Sequence, residues 1–117
     1  MNITEFTDRD IAVMAIAGRI DGATSADAET ATLETLGKVP ALVIELRQVD
    51  YVSSAGLRVI LKAAKAARVA SKKLVLAGLT PQVQEVFDIS GFSSVFEIHP
   101  NSQLAVEAVL QSGAASN

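Results

Sequence analysis

Short aliphatic runs alternate with longer amphipathic segments along this chain, and this alternation limits the folds that it can adopt. Residues 41–46 and 74–77 are largely aliphatic and of strand length, so we predict two strands that are buried on both faces. Helix-like segments separate these runs, which indicates strand–helix–strand crossovers and a mainly parallel sheet. The predicted strands cover residues 3–6, 11–17, 41–46, 74–77 and 95–98.

Capping residues, glycines and prolines mark the expected helix boundaries. Thr24 or Ser25 is expected to cap the first helix, and Thr80 followed by Pro81 is typical of a helix start. Gly37 is expected to end the first helix in the left-handed conformation. The predicted helices cover residues 25–36, 55–70, 81–90 and 102–110.

The resulting element order is β-β-α-β-α-β-α-β-α, an α/β sandwich. Residues 8–10 predict a hairpin turn after the first strand, and Gly18 is expected to end the second strand. Residues 47–52 are predicted to form a loop. A chain of 117 residues has room for one domain, which we place over 1–112 with a flexible C-terminal tail over 113–117.

Composition argues against several kinds of functional site. The chain has no cysteine and a single histidine, so we expect no disulfide, metal centre or cofactor. An aromatic content of 4% and a net charge of −3 argue against direct binding of nucleic acid. The N-terminus is acidic and no apolar run approaches the roughly 18 residues that span a bilayer. We therefore expect a cytoplasmic protein without a membrane partner.

Catalysis is not expected from the motifs present. A serine nucleophile needs a base within hydrogen-bond distance, and His99, expected in a surface loop, is the only imidazole. Val52 stands where a Gly-x-Ser-x-Gly elbow requires its first glycine, and no glycine-rich phosphate loop is present. A serine hydrolase and a nucleotide-binding domain are the weaker alternatives, and we assign no catalytic residue.

The serine pair Ser53-Ser54 is the feature with the clearest functional meaning. It follows a predicted buried strand and opens a helix, a position where α/β sheets often place their sites. One of the two hydroxyls could simply cap the helix. Gly56 is a poor helix former in the first turn, which suggests that another group approaches the backbone closely there.

Three segments resemble one known family. Residues 51–57, Tyr-Val-Ser-Ser-Ala-Gly-Leu, resemble the phosphorylation motif of STAS domains, specifically the bacterial anti-sigma factor antagonists. Residues 17–21 are similar to the Gly-x-Leu-Asp motif that follows the family's second strand. Residues 79–92 resemble the signature of the family's third helix. The resemblance covers nearly the whole chain and implies a STAS fold with a mixed, mainly parallel sheet.

The resemblance also implies a function. Such an antagonist binds an anti-sigma factor serine kinase of the GHKL type while unphosphorylated, is released when the kinase phosphorylates it, and is restored by a PP2C-type phosphatase. The phosphoacceptor falls on Ser54. Many members of the family carry aspartate immediately before the acceptor, and this chain has Ser53 there, so Ser53 is the alternative acceptor. We expect a monomer or a weak dimer. The alternative function is a STAS subunit of a larger complex, such as a lipid-transport ATPase, that binds its partner constitutively.

The expected partner-binding surface surrounds this motif. Arg58, Lys62, Lys65 and Arg68 follow helical spacing and predict a basic face on the second helix, which is either a surface for an acidic partner or a solvated face. Asp21 is expected either to cap the following turn or to contact the kinase. The predicted partner-binding residues are Asp21, Thr24, Ser53, Ser54, Gly56, Leu57, Arg58 and Lys62.

Overall fold

The computed structural model describes residues 1–113, which form a five-stranded mixed sheet with helices on both faces. The element order confirms the predicted α/β class. The strands are β1 (Asn2–Asp8), β2 (Ile11–Ile20), β3 (Ala41–Val52), β4 (Lys73–Ala77) and β5 (Ile98–His99). The helices are α1 (Ser25–Leu36), α2 (Ser54–Val69), α3 (Pro81–Ile89) and α4 (Ser102–Ser112), with a 3-10 turn at Phe92–Ser94.

The strands lie side by side in chain order, from β1 to β5. β1 pairs antiparallel with β2, and all later neighbours are parallel, as crossover helices require. The hairpin turn predicted at residues 8–10 is present. Arg9 and Asp10 both have positive φ angles, 51° and 68°, as in a two-residue hairpin loop whose twist matches the strands.

Alternate side chains of the central strands enter two separate aliphatic cores. On one face Leu42 and Ile44 of β3 belong to the larger core, together with residues of α1, α2 and α3. On the other face Val43 packs in a smaller core with Val106 and Val109 of α4. The predicted burial of β3 and β4 on both faces is therefore confirmed for residues 41–44, Leu46 and residues 75–77, whereas Glu45 and Leu74 are half-buried.

The predicted loop at residues 47–52 is wrong, because β3 continues to Val52. The expectation that β2 ends at Gly18 is wrong for the same reason. β2 and β3 remain paired as far as Ile20 and Val52 through two register shifts, and Gly18 lies at the second shift with a φ of 104°. Long-range pairing thus extends both strands beyond the residues whose composition marks them as strands.

The predicted left-handed end of the first helix is also wrong. Gly37 is right-handed, with φ −65° and ψ −17°. The Lys72 side chain donates to the carbonyl oxygen of Leu36, so a tertiary contact satisfies part of this helix end.

The last strand differs from its prediction as well. β5 contains Ile98 and His99, whereas residues 95–98 were expected. Phe96 instead turns into the core, where its ring lies 5.8 Å from that of Phe87 in an edge-to-face contact. The final helix extends to Ser112. Of the predicted tail, residues 114–117 lie outside the described part of the chain.

Candidate functional site

The serine pair lies at the junction between β3 and α2, and Ser53 caps the helix. Its backbone is extended, with φ −85° and ψ 176°, and its Oγ accepts a hydrogen bond from the N–H of Gly56 at 3.3 Å. Its own N–H donates to the carbonyl oxygen of Ile20 at 2.9 Å. Ser53 is thus held from both sides, and the capping role foreseen for one of the two serines belongs to it.

Ser54 is the first residue of α2, and its surroundings are different. The residue is exposed, and no group within residues 1–113 forms a hydrogen bond with its hydroxyl. The N–H groups of Ser54 and Ala55 also lack a protein partner among the described residues, as expected for the first turn of a helix. A group attached to the Ser54 oxygen would therefore displace no existing contact.

Gly56 is required by a close backbone approach. A methyl group at this position would lie 2.5 Å from the carbonyl oxygen of Ile20 and 3.0 Å from Cγ1 of Val52. The neighbour that the sequence suggested is therefore the end of β2. Leu57 lies beneath the same turn with only 8% of its surface exposed. Gly56 and Leu57 are buried residues of the first turn of α2, and they fix the position of the exposed residues around them.

Asp21 organises the loop between β2 and α1. Its Oδ1 accepts hydrogen bonds from the N–H groups of Ala23 at 3.0 Å and Thr24 at 3.2 Å. These contacts form the turn-capping arrangement that was one of its two expected roles. The N–H of Ala23, followed by other donors that include the Arg19 side chain, lowers the pKa of this carboxyl from its ordinary value.

Thr24 stands at the cap position of α1, but its hydroxyl makes no capping bond. The hydroxyl donates to the carbonyl oxygen of Arg19 at 2.8 Å and accepts from the N–H of Asp21 at 3.0 Å. The side-chain cap expected from Thr24 or Ser25 is therefore wrong, because the loop has already engaged the Thr24 hydroxyl and the Ser25 hydroxyl forms no hydrogen bond within residues 1–113. Asp21 and Thr24 together fix the loop that faces the end of β2.

The structure adds one exposed pair that the sequence analysis did not identify. The guanidinium carbon of Arg19 lies 4.3 Å from the ring centroid of Tyr51, a cation–π contact between the ends of β2 and β3. The pairing of Arg19 with Tyr51 follows the second register shift in this part of the sheet. No local sequence signal could reveal it, because the shift depends on how two distant strands meet.

The four predicted basic residues of α2 are all exposed on the helix surface. Lys62 forms an ion pair with Glu29 of α1, with Nζ–Oε distances of 3.3 and 3.4 Å. A cleft of about 340 Å³ lies between the two helices, and Arg58 lines it together with Glu29, Ala55 and Lys62. Within residues 1–113 Arg58 has no carboxylate partner.

His99 does not accompany the serines. It lies on β5, contrary to the expected loop, and its Nε2 is 2.7 Å from Oε2 of Glu97. The strand register aligns His99 with Ala77 and then with Glu45. Ser53 directly follows β3 and is eight residues beyond Glu45, a separation of about 26 Å along the strand direction. The geometry therefore gives neither serine an imidazole base.

Within residues 1–113 no group of three or more histidine, aspartate or glutamate side chains is arranged to hold a metal ion. In the same part of the chain, no helix combines the length and apolar character needed to cross a membrane.

Comparisons with known proteins agree on one family. The STAS domain profile matches residues 3–105. BtrV of Bordetella bronchiseptica, provisionally named an anti-sigma factor antagonist, is 43% identical over an 88-residue alignment that covers 72% of this chain and 76% of BtrV. The anti-sigma-B factor antagonist of Listeria monocytogenes is 36% identical over a 93-residue alignment that covers 78% of this chain and 81% of that protein.

Solved structures show the same fold. An anti-sigma factor antagonist from Mycobacterium paratuberculosis superposes with a TM-score of 0.84 at 22% identity, covering 92% of both chains. The Bacillus antagonist SpoIIAA gives 0.79 at 15% identity in its unphosphorylated form, covering 94% of this chain and 97% of SpoIIAA. Its phosphorylated form gives 0.71 at 15% identity, covering 92% and 99%. The sequence match over residues 3–105 and the shared fold establish that this chain belongs to the STAS domain family.

Proposed function

We propose that this STAS domain is an anti-sigma factor antagonist of a partner-switching pathway. It binds an anti-sigma factor serine kinase of the GHKL type while Ser54 is unmodified, and phosphorylation of Ser54 releases it. The observation that carries this proposal is the exposed Ser54 hydroxyl, which has no partner within residues 1–113 and opens α2. The names of the relatives BtrV and the Listeria antagonist support the regulatory role.

Ser54 is the acceptor and Ser53 is part of the scaffold. In the transfer, the Ser54 oxygen forms a bond to the γ-phosphorus of ATP, the bond to the bridging oxygen breaks, and ADP leaves. The hydroxyl proton passes to a base of the kinase or to solvent. Transfer to Ser53 would instead remove the cap that its Oγ provides to the N–H of Gly56, so this site is disfavoured.

The added phosphate acts at the interface and leaves the fold intact. It carries about −1.5 to −2 charges at neutral pH, and the first turn of a helix with its free N–H groups tolerates negative charge. A partner that covers Ser54 must, however, desolvate this charge. A loss of about 3 kcal/mol in binding free energy already lowers the affinity for the partner more than a hundredfold.

The proposed contact surface combines the Asp21 loop with the first two turns of α2. Asp21 and Thr24 shape the loop, and Arg58 and Lys62 present positive charge beside the acceptor. This arrangement suits a partner surface with acidic groups opposite Arg58. Ser53, Gly56 and Leu57 contribute by holding α2 in place.

The remaining parts of the proposal follow from the same role. The protein is a substrate for the kinase and for a PP2C-type phosphatase, has no catalytic turnover of its own, and acts in the cytoplasm as a monomer or weak dimer. The alternative function is a STAS subunit that binds its partner constitutively. The affinities of the phosphorylated and unmodified proteins for the kinase distinguish this alternative from a switch.

The experiment combines intact-mass measurement with binding. The protein is incubated with ATP and its cognate GHKL-type kinase, and we expect a gain of one phosphate on wild type and on Ser53→Ala, but none on Ser54→Ala. Purified phosphorylated and unmodified proteins are then titrated against the kinase by calorimetry. Equal affinity of the two forms would indicate constitutive binding, and labelling of Ser54→Ala would contradict the site.

A further inference from the structure

We propose that Arg58 holds the phosphate on Ser54 and is thereby withdrawn from the partner-binding surface. The inference rests on the proposed phosphorylation of Ser54 and assigns Arg58 a second role in the switch. In the unmodified protein Arg58 faces the partner as a free cation. In the phosphorylated protein it folds back over the first turn of α2 and pairs with the phosphate.

Helix geometry brings the two side chains together. Ser54 and Arg58 are four residues apart in α2, so they lie one above the other on the same face. Side chains in an α-helix lean towards its N-terminus, and the long side chain of Arg58 therefore covers the turn that contains Ser54. The guanidinium group also matches the oxygens of a phosphate, to which it can donate two parallel hydrogen bonds.

The surrounding charges leave Arg58 free for this pairing. Glu29 faces the same cleft, but it forms its ion pair with Lys62, at 3.3 Å. In the loop between β2 and α1, Asp21 accepts a hydrogen bond from Arg19 at 3.4 Å, and Arg19 also stacks on Tyr51. The cleft of about 340 Å³ between α1 and α2, which Ala55 and Arg58 line, provides room for the Arg58 side chain to move.

The pairing weakens binding of the partner by the phosphorylated protein in two ways. Phosphorylation adds negative charge to the contact surface and at the same time neutralises the cation that would meet an acidic partner. Lys65 and Arg68 are also exposed on α2, but Lys65 lies about 16 Å along the helix axis from Ser54, and Arg68 lies further still. Both are beyond the reach of a phosphate on Ser54. The effect is therefore specific to Arg58 and does not belong to the basic face as a whole.

The test measures the second ionisation of the phosphate by ³¹P NMR. Phosphoserine is incorporated at position 54 during translation, so no kinase is needed. Arg58→Ala should raise this pKa by about 0.3 unit, the shift equivalent to an ion pair one turn apart on an exposed helix. Arg58→Lys should give an intermediate value. Lys65→Ala removes the same charge from the same helix and should leave the titration unchanged.

Two results would overturn the inference. One is an Arg58→Ala titration that overlays the wild type, and the other is an equal shift in Arg58→Ala and Lys65→Ala, which would indicate a general charge effect. Calorimetry with the kinase on the same phosphorylated samples tests the proposed function separately. A switch that operates without the Arg58-dependent shift would refute only the pairing, whereas equal kinase affinity of the modified and unmodified proteins would refute the switch.

Discussion

Replacing Gly56 by alanine should destabilise this protein, although alanine is normally the better helix former. Glycine within a helix costs roughly 0.5–1 kcal/mol relative to alanine, so the substitution gains that amount from propensity. The added methyl group would, however, lie 2.5 Å from the carbonyl oxygen of Ile20. This oxygen is backbone and accepts the hydrogen bond of the Ser53 N–H at 2.9 Å, so it cannot move without weakening that bond.

The steric cost exceeds the gain in helix propensity, so the substitution should lower the stability of the protein. Overpacking of this kind costs about 1–3 kcal/mol, and a weakened backbone hydrogen bond adds about 0.5–1.5 kcal/mol. After the helix-propensity gain is subtracted, we expect a decrease of about 2 kcal/mol in the free energy of unfolding. Urea denaturation followed by circular dichroism measures this decrease as a lower midpoint with an unchanged slope.

Gly22 provides the matched control. A methyl group there meets no atom within 4 Å, and the residue does not have a positive φ. Gly22→Ala should therefore change the free energy of unfolding by less than about 0.5 kcal/mol. If Gly56→Ala were as stable as wild type, the close packing of α2 against the end of β2 would not be the reason for glycine at this position.

The two serines and Asp21 give further tests of the site. Ser53→Ala should lower the free energy of unfolding by about 1 kcal/mol through loss of the helix cap, while Ser54→Ala should have almost no effect in the same urea titrations. The reverse order would contradict the assigned roles. The pKa of Asp21 is lowered in the folded state, chiefly by the N–H of Ala23, so its stabilisation is present above the unfolded pKa and is lost as pH falls through the folded pKa. Asp21→Asn should therefore reduce the loss of stability on acidification below about pH 4, and an unchanged acid limb would contradict this.

Local sequence patterns predict those elements whose own residues are apolar enough, or whose capping residues are distinctive enough, to identify them. Residues 41–46 and 74–77 are apolar enough to be strands in any α/β sheet, and Thr80-Pro81 starts α3 with the Thr80 hydroxyl accepting from the N–H of Val83. Residues 47–52 were missed because Arg47 and Asp50 are polar and exposed. Pairing with β2 makes this segment a strand, and such pairing is not encoded within it.

The candidate site shows the same division between local and long-range information. The position of the serine pair at the start of a helix followed from sequence. Which of the two hydroxyls caps the helix did not, because this depends on which hydroxyl meets the N–H of Gly56. The ion pair between Lys62 and Glu29 was equally inaccessible, since it results from the packing of α1 beside α2.

The end of β2 contacts both Ser53 and Gly56. The carbonyl oxygen of Ile20 binds the N–H of Ser53 and leaves no room for a side chain at Gly56, so one backbone group fixes both the cap and the position of the first turn. With Ser53 and Gly56 fixed in this way, Ser54 lies on the exposed side of the first turn. Variation at Ser54 should consequently affect regulation with little effect on folding, whereas variation at Gly56 should affect folding first.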